Sequence, residues 1–278
     1  MNEETMPEQS RYPEYEKPRQ EIRDLRQSLA ALLLEHHELE FHIRKKVEAE
    51  YVSAIGSLEH KALEFQYKEL RLKRKEELIQ GRINSRDVFA LSQIEAQLIG
   101  EFNGQNEKLS ASMSRMNAAL ERRFAGTVLS DREEAELNLL YSGLIKKLHP
   151  DLNPVQNEKI EKLLSASITA YKNAALDTLR ELSVQAEGYK ELVDEPVGSM
   201  VKLAATKEKL LARVESLQKT VGDIKNSYPC NKKALLDDGE KLRERAGELV
   251  EQIQEHRKAC DDLDRRLAEL LGKSVWTK

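Results

Sequence analysis

The sequence contains few of the residues that break helices or close turns. Of its 278 residues, 7 are proline and 12 are glycine, and aromatic residues make up 5%. No proline lies between Arg19 and His149. Sandwiches and barrels need turn residues at short intervals, so this scarcity argues against an all-β fold. Because Glu, Lys, Leu and Ala are frequent and favour helices, we predict an all-α protein.

Long hydrophobic runs are also missing. The longest, residues 29–34, is far below the ~20 apolar residues that a helix needs to span a bilayer. Residues 1–18 are acidic and contain three of the prolines, and they lack the basic and apolar regions of a secretory signal peptide. We therefore expect no membrane association and a cytoplasmic location.

Cysteine is scarce, and basic residues are not in excess. Cys230 and Cys260 do not have a metal-binding spacing, and on one helix they would stand ~45 Å apart, too far for a disulfide. The net charge of −4 gives no overall basic surface for nucleic acid. We expect no metal and no cofactor, and we regard a nucleic-acid partner as disfavoured.

What the sequence does contain is apolar periodicity at three- and four-residue spacing. One apolar seam covers residues 22–79 and a second covers residues 88–124. Residues that pair between the two seams have a nearly constant sum of residue numbers, as facing residues of an antiparallel helix pair do. After a disordered acidic tail at residues 1–18, we predict an antiparallel coiled-coil hairpin at residues 19–126.

Two details of this hairpin are also predicted. Steps of four residues recur in the stretches 43–51 and 54–62, and they are stutters in the heptad pattern. The first helix is expected to end at Gly81. Residues 84–87, Asn-Ser-Arg-Asp, have the composition of an N-cap and acidic first turn for the second helix.

The C-terminal part repeats the pattern. The seams at residues 200–224 and 235–270 also pair with a constant sum, which predicts a second antiparallel coiled-coil hairpin at residues 196–278. The apolar stripes 22–39 and 263–270 extend beyond their partners and need to be covered. They could pack on each other, pack on the central segment, or join two chains into a homodimer.

The central segment, residues 127–195, is predicted to contain a short helical hairpin. Ser130 and Glu133 fit a capping box that opens a helix, and that helix is expected to stop at His149 because a residue before proline resists helical ψ. A second amphipathic helix begins near Glu158. The tripeptide His149-Pro150-Asp151 therefore lies at the tip of an αα-hairpin.

The segment LYSGLIKKLHPDLNP, residues 140–154, and the following pair Ala170-Tyr171 resemble a J domain, the module of DnaJ-type co-chaperones. The resemblance covers about residues 130–180. In that family, the His-Pro-Asp tripeptide and a basic helix face dock on a DnaK-type chaperone and stimulate its ATP hydrolysis. The resemblance thus implies a chaperone-binding site and no catalytic residues in this chain; the site would consist of Lys146, Lys147, His149, Pro150, Asp151 and Asn153.

Local chemistry is compatible with this expectation. Adjacent lysines on an exposed helix face steer a partner of opposite charge. Prolines stiffen the loop, so that less order has to be gained on docking. The alternative for His149 and Asp151 is a simple helix-stop turn in which Asp151 caps the loop.

Three other groups of residues have the composition of a possible site. The basic run at residues 68–75 could contact nucleic acid but is more typical of a solvated coiled-coil flank. The histidines of residues 36–42 lack the Glu-x-x-His pattern of bundle metal sites. His256 and Cys260 fall on the seam opposite Leu203 and Met200, which favours burial in a core over thiol chemistry.

The function expected from the sequence is that of a non-enzymatic co-chaperone or adaptor. It would recruit and stimulate a DnaK-type chaperone, while the coiled-coil arms hold an unknown protein client or partner. The alternative is a structural coiled-coil scaffold or tether in which the J-like hairpin has become a spacer.

Overall fold

A computed structural model describes residues 13–125, 129–192 and 199–273 of the chain. Within these ranges the regular secondary structure is helical and no β-strand is present, which confirms the all-α prediction. In the same ranges, no helix combines the length and the apolar character that crossing a bilayer requires.

The chain is helical from residue 13 to residue 84. The successive elements are α1 (Pro13–Glu38), a π-helical segment (Leu39–Ile43), α2 (Arg44–Tyr51), a second π-helical segment (Val52–Gly56) and α3 (Ser57–Asn84). The π-helical segments adjoin the stutters that the sequence shows at residues 43–51 and 54–62. A π-helical turn accommodates an extra residue, so it keeps the apolar face aligned where the heptad spacing slips.

The remaining elements are also helical. They are α4 (Leu91–Glu101), α5 (Asn103–Ala125), α6 (Asp131–Leu148), α7 (Glu158–Lys172), α8 (Leu176–Gln185), α9 (Met200–Asn226), a 3₁₀ turn (Cys230–Lys232), α10 (Lys233–Leu236) and α11 (Gly239–Lys273).

The predicted break at Gly81 and the predicted N-cap at residues 84–87 are wrong. Helix α3 continues through Gly81, and residues 84–87 form its C-terminal end. The N–H of Arg86 donates to the carbonyl of Ile83, and the N–H of Asp87 donates to that of Arg82, the hydrogen bonds of a Schellman motif. Gly81 has open space around it, and a single glycine costs a helix only about 1 kcal/mol, too little to end one that is packed along its length.

The chain divides into two compact units. The first combines Met1–Lys45 with Thr127–Asn231, and the second combines Lys46–Gly126 with Lys232–Lys278. Each unit therefore joins stretches of chain that the sequence analysis placed in different domains.

In the first unit, α1 packs along α9 and also contacts α6, while α6, α7 and α8 pack on one another. Ion pairs Glu21–Lys207 (2.7 Å) and Glu35–Lys225 (2.5 Å) show that α1 and α9 run parallel, because the partner number rises along both helices. The stripe at residues 22–39 is covered in this core. Most of its buried members share one cluster with α6 and α9: Ile22, Leu29, Leu33, Leu137, Tyr141, Leu210 and Leu217. Leu39, at the end of the stripe, is buried with Val221 of α9 in a separate cluster.

In the second unit, α3 packs along α11 and also contacts α4 and α5. The pairs Glu69–His256 and Glu76–Arg266 show that α3 and α11 run parallel. The stripe at residues 263–270 is covered here as well. Leu267 is buried with residues of α3 and α4: Ile79, Ile94 and Leu98.

The predicted C-terminal hairpin between residues 200–224 and 235–270 is not confirmed. Helix α9 packs along α1 in the first unit, and α11 packs along α3 in the second. An apolar seam with three- and four-residue spacing fixes which face of a helix is buried, but it accepts a parallel partner as readily as an antiparallel one.

Candidate functional site

The loop that carries His149-Pro150-Asp151 is held between two helices with defined ends. The side chain of Ser130 accepts a hydrogen bond from the N–H of Glu133, whose carboxylate accepts one from the N–H of Ser130. This is the predicted capping box at the start of α6, and the hydrogen bonds from Ser130 lower the pKa of Glu133. Helix α6 ends at Leu148, and His149 is extended, as expected for a residue before proline.

Behind the loop, two tyrosine rings join α6 to α7. Tyr141 and Tyr171 are buried and stacked, with ring centroids 3.9 Å apart and planes within 4° of parallel. The hydroxyl of Tyr171 donates to Asn138 (2.8 Å), and the hydroxyl of Tyr141 lies 2.7 Å from Nδ1 of His37 on α1. Burial raises the pKa of both tyrosines, so they stay neutral. Helix α1 is thus tied to the hairpin by a hydrogen bond as well as by apolar packing.

The shape of the loop is set by its own hydrogen bonds. The N–H groups of Leu152 and Asn153 donate to the carbonyl of His149. The Asn153 amide donates to the carbonyls of Lys147 (3.0 Å) and Lys190 (3.3 Å), and Gln156 donates to the carbonyl of Asn153 (2.6 Å). The resemblance placed Asn153 in the binding surface. The structure instead buries Asn153 inside the loop, where its side-chain amide forms hydrogen bonds with backbone groups.

His149 and Asp151 are largely covered. Their side chains are 14% and 23% exposed, and Nδ1 of His149 accepts the N–H of Asp151 (3.2 Å). Burial lowers the pKa of His149, which favours the neutral imidazole. The carboxylate of Asp151 accepts a hydrogen bond from Nε of Arg213 on α9 (2.7 Å).

Pro150 and the two lysines present the accessible part of the site. Pro150 is exposed and borders an open groove lined by Leu164 and Ile168 of α7. Lys146 lines a small cavity together with Leu152, and Nζ of Lys147 lies 3.5 Å from the carbonyl of Ala186. Among the described residues, no carboxylate forms an ion pair with either lysine.

Arg213 is the residue of this site that the sequence analysis missed. It lies on α9 beside Val214, and the seam residues Leu210, Val214 and Leu217 are buried. A flanking arginine on a coiled helix is common, and its partner is 62 residues away in sequence. No local pattern could therefore have identified the contact.

The basic run at residues 68–75 is paired with acids. Each of its five bases lies within ion-pair distance of a carboxylate: Lys68–Asp264, Arg71–Glu95, Lys73–Glu69, Arg74–Glu101 and Lys75–Glu95. Nucleic-acid phosphates would have to displace these carboxylates. The pairing thus favours the solvated-flank interpretation over a nucleic-acid surface.

The predicted surroundings of His256 and Cys260 need correction. His256 is partly exposed, and its Nδ1 lies 2.6 Å from Glu69 rather than against Leu203. Cys260 is buried, as predicted, but its Sγ lies 3.8 Å from the carbonyl of Phe65 rather than against Met200. Burial raises the pKa of Cys260, which disfavours the thiolate. Across the described parts of the chain, no cluster of three or more His, Cys, Asp and Glu side chains could hold a metal ion.

In comparisons with protein-family models, curated proteins and solved structures, nothing matches this chain.

Proposed function

We propose that this chain is a J-domain-like adaptor that docks a DnaK-type chaperone at the His-Pro-Asp loop and stimulates its ATP hydrolysis. The observation that carries the proposal is the closed helical unit around that loop. Helices α1 and α8 cover the α6–α7 hairpin, and internal hydrogen bonds hold the loop in one shape at the end of a helix whose last turn is basic.

Each residue has a distinct part in this proposal. Lys146 and Lys147 have no acidic partner among the described residues, so they can steer an acidic surface toward the loop. Pro150 offers an exposed rigid contact beside the groove of α7. His149 is the residue whose neutral ring and hydrogen bond set the position of the Asp151 backbone.

The second unit would hold the client or partner protein. Both apolar stripes that the sequence left uncovered are buried within the chain, so covering them requires no homodimer. Long paired helices with charged flanks offer an extended polar surface for a partner.

The test is single-turnover ATP hydrolysis by a DnaK-type chaperone, measured with and without the full chain. Wild type is expected to accelerate hydrolysis, and His149→Gln is expected to abolish the acceleration. The double variant Lys146→Ala, Lys147→Ala is expected to weaken it and to reduce its dependence on salt.

Lys162→Ala is the matched control, because Lys162 is an exposed lysine on α7 that pairs with Glu158 and has no contact with His149, Pro150 or Asp151 among those described. It should accelerate hydrolysis as wild type does. If wild type produces no acceleration at saturating concentration, the proposal is wrong.

A second candidate function is favoured by one contact. Asp151 is bound by Arg213, and His149 is mostly covered, as expected if the hairpin is a structural brace in a helical scaffold. The scaffold predicts that wild type does not accelerate hydrolysis and that His149→Gln only destabilises the first unit.

A further inference from the structure

The contact between Arg213 and Asp151 places a side chain of α9 on the tripeptide of the proposed docking site. Nε of Arg213 donates to Oδ2 of Asp151 at 2.7 Å, and the same oxygen lies 4.0 Å from Nδ1 of His149. The carboxylate of Asp151 is only 23% exposed. An outside partner can therefore use this carboxylate fully only after the guanidinium has left it.

The loop does not depend on Arg213 for its shape. Asn153 and Gln156 hold it through hydrogen bonds to the backbone of Lys147, Leu148 and Lys190. The N–H of Asp151 is bound by His149. Loss of the arginine is thus expected to uncover the Asp151 carboxylate and to leave the loop in place.

The backbone of Arg213 is held by buried neighbours, whereas its side chain is partly exposed. Its neighbours Leu210, Val214 and Leu217 are buried in the core of the first unit, so the backbone of α9 is held there. Its own side chain is 46% exposed. Ion pairs between partly exposed groups are weak and are screened by salt, so a partner can displace this one.

We propose that Arg213 is an intramolecular cap on the His-Pro-Asp loop that competes with chaperone docking and so lowers the activity of the chain in its resting state. The proposal rests on the proposed function, because it concerns the same loop. It gives α9 a regulatory role, since any event that draws Arg213 away from the loop makes Asp151 available.

The test compares Arg213→Gln with wild type in binding to a DnaK-type chaperone and in single-turnover ATP hydrolysis. Glutamine keeps much of the side chain and removes the charge. The concentration that gives half-maximal stimulation should fall by about two- to fivefold, the range expected for release of one partly exposed ion pair. Arg213→Lys keeps the charge and should remain closer to wild type.

Lys219→Gln is the matched control, because it removes one positive charge from an exposed position of the same helix. If Arg213→Gln docks no more tightly than Lys219→Gln, the cap does not exist, and the proposed function stands as long as both variants stimulate. If neither wild type nor Arg213→Gln stimulates the chaperone, the proposed function itself is wrong.

Discussion

Among individual residues, His37 lies in surroundings that disfavour protonation of its ring. Its Nδ1 lies 2.7 Å from the hydroxyl of Tyr141, and its ring stacks on Phe41 with centroids 5.5 Å apart. Burial lowers its pKa to about 4, and the positive charge that His36 and His149 would carry when protonated acts in the same direction. The folded first unit therefore holds His37 as a neutral imidazole at neutral pH.

The lowered pKa of His37 makes the free energy of unfolding of the first unit depend on pH. An unfolded histidine has a pKa of about 6.5, so the unfolded state takes up a proton first as the pH falls. The contribution of His37 to the free energy of unfolding is complete above about pH 6.5 and is lost as the pH falls toward about 4. Because His37 is only partly buried, we expect a loss of about 1–2 kcal/mol.

Urea denaturation at about pH 7 and about pH 4.5 measures this loss. His37→Gln cannot titrate, so its free energy of unfolding should fall less between the two pH values than that of wild type, even though its stability at neutral pH is lower. Lys162→Ala, an exposed change on α7, should keep the wild-type dependence. Equal losses in His37→Gln and wild type would contradict the assignment.

The candidate site shows how far single residues could be predicted. The sequence identified Ser130, Glu133 and the helix stop at His149, because caps and X-Pro steps act over a few residues. It placed Asn153 on the surface and missed Arg213, because both assignments depend on which distant backbone or side chain arrives at the loop. Such contacts follow from tertiary packing.

At the scale of helices and turns, the ends of two helices carry strained residues. Arg86 and Ala174 have φ of 54° and 52°, in the left-handed region that L-residues with a Cβ adopt only at a cost. Each follows a helix and occupies the position of a Schellman motif where glycine is most common. Arg86 is exposed, so its backbone cost can be measured with little change in packing.

We expect Arg86→Gly to raise the free energy of unfolding of the second unit by about 1 kcal/mol, because glycine adopts positive φ without steric strain. The matched control is Arg82→Gly, one turn earlier inside α3. There glycine should lower stability by at least about 1 kcal/mol, because it loses more backbone entropy in a helix and because the ion pair between Arg82 and Asp87 (3.5 Å) is lost. Chemical denaturation of the three proteins measures both effects, and a destabilised Arg86→Gly would show that the left-handed conformation is not adopted.

The sequence predicts where the long helices lie better than it predicts the residues at which they end. The apolar seams placed all the long helices, since a buried face imposes its period on the sequence. The end of α3 was misplaced because Gly81 and the Asn-Ser-Arg-Asp stretch resemble a break and a cap. Packing along α11 stabilises α3 beyond Gly81, so the helix continues. The turn that follows α3 is held by backbone hydrogen bonds and not by a capping side chain.

For the molecule as a whole, the direction of helix pairing is the property that the sequence could not fix. Between α1 and α9, Lys207 follows its partner Glu21 by 186 residues, and Lys225 follows its partner Glu35 by 190 residues. A nearly constant difference in residue number is the signature of parallel helices, whereas the sequence analysis found only the constant sum of an antiparallel pair. Two seams of the same period can pair in a parallel or an antiparallel direction. Ion pairs between distant segments show which of the two directions the helices adopt.

A zero-length carbodiimide cross-link tests the parallel pairing of α1 and α9 directly. The reagent condenses a carboxylate with a lysine amine when the two are in ion-pair contact, so mass spectrometry of the digest should show Glu21 linked to Lys207 and Glu35 linked to Lys225. Lys207→Arg keeps the positive charge but forms no stable amide, and it should remove the first link and retain the second. If α9 instead folded back on α11, Lys207 would be linked to acids near the middle of α11 such as Glu251, and the parallel arrangement would be refuted.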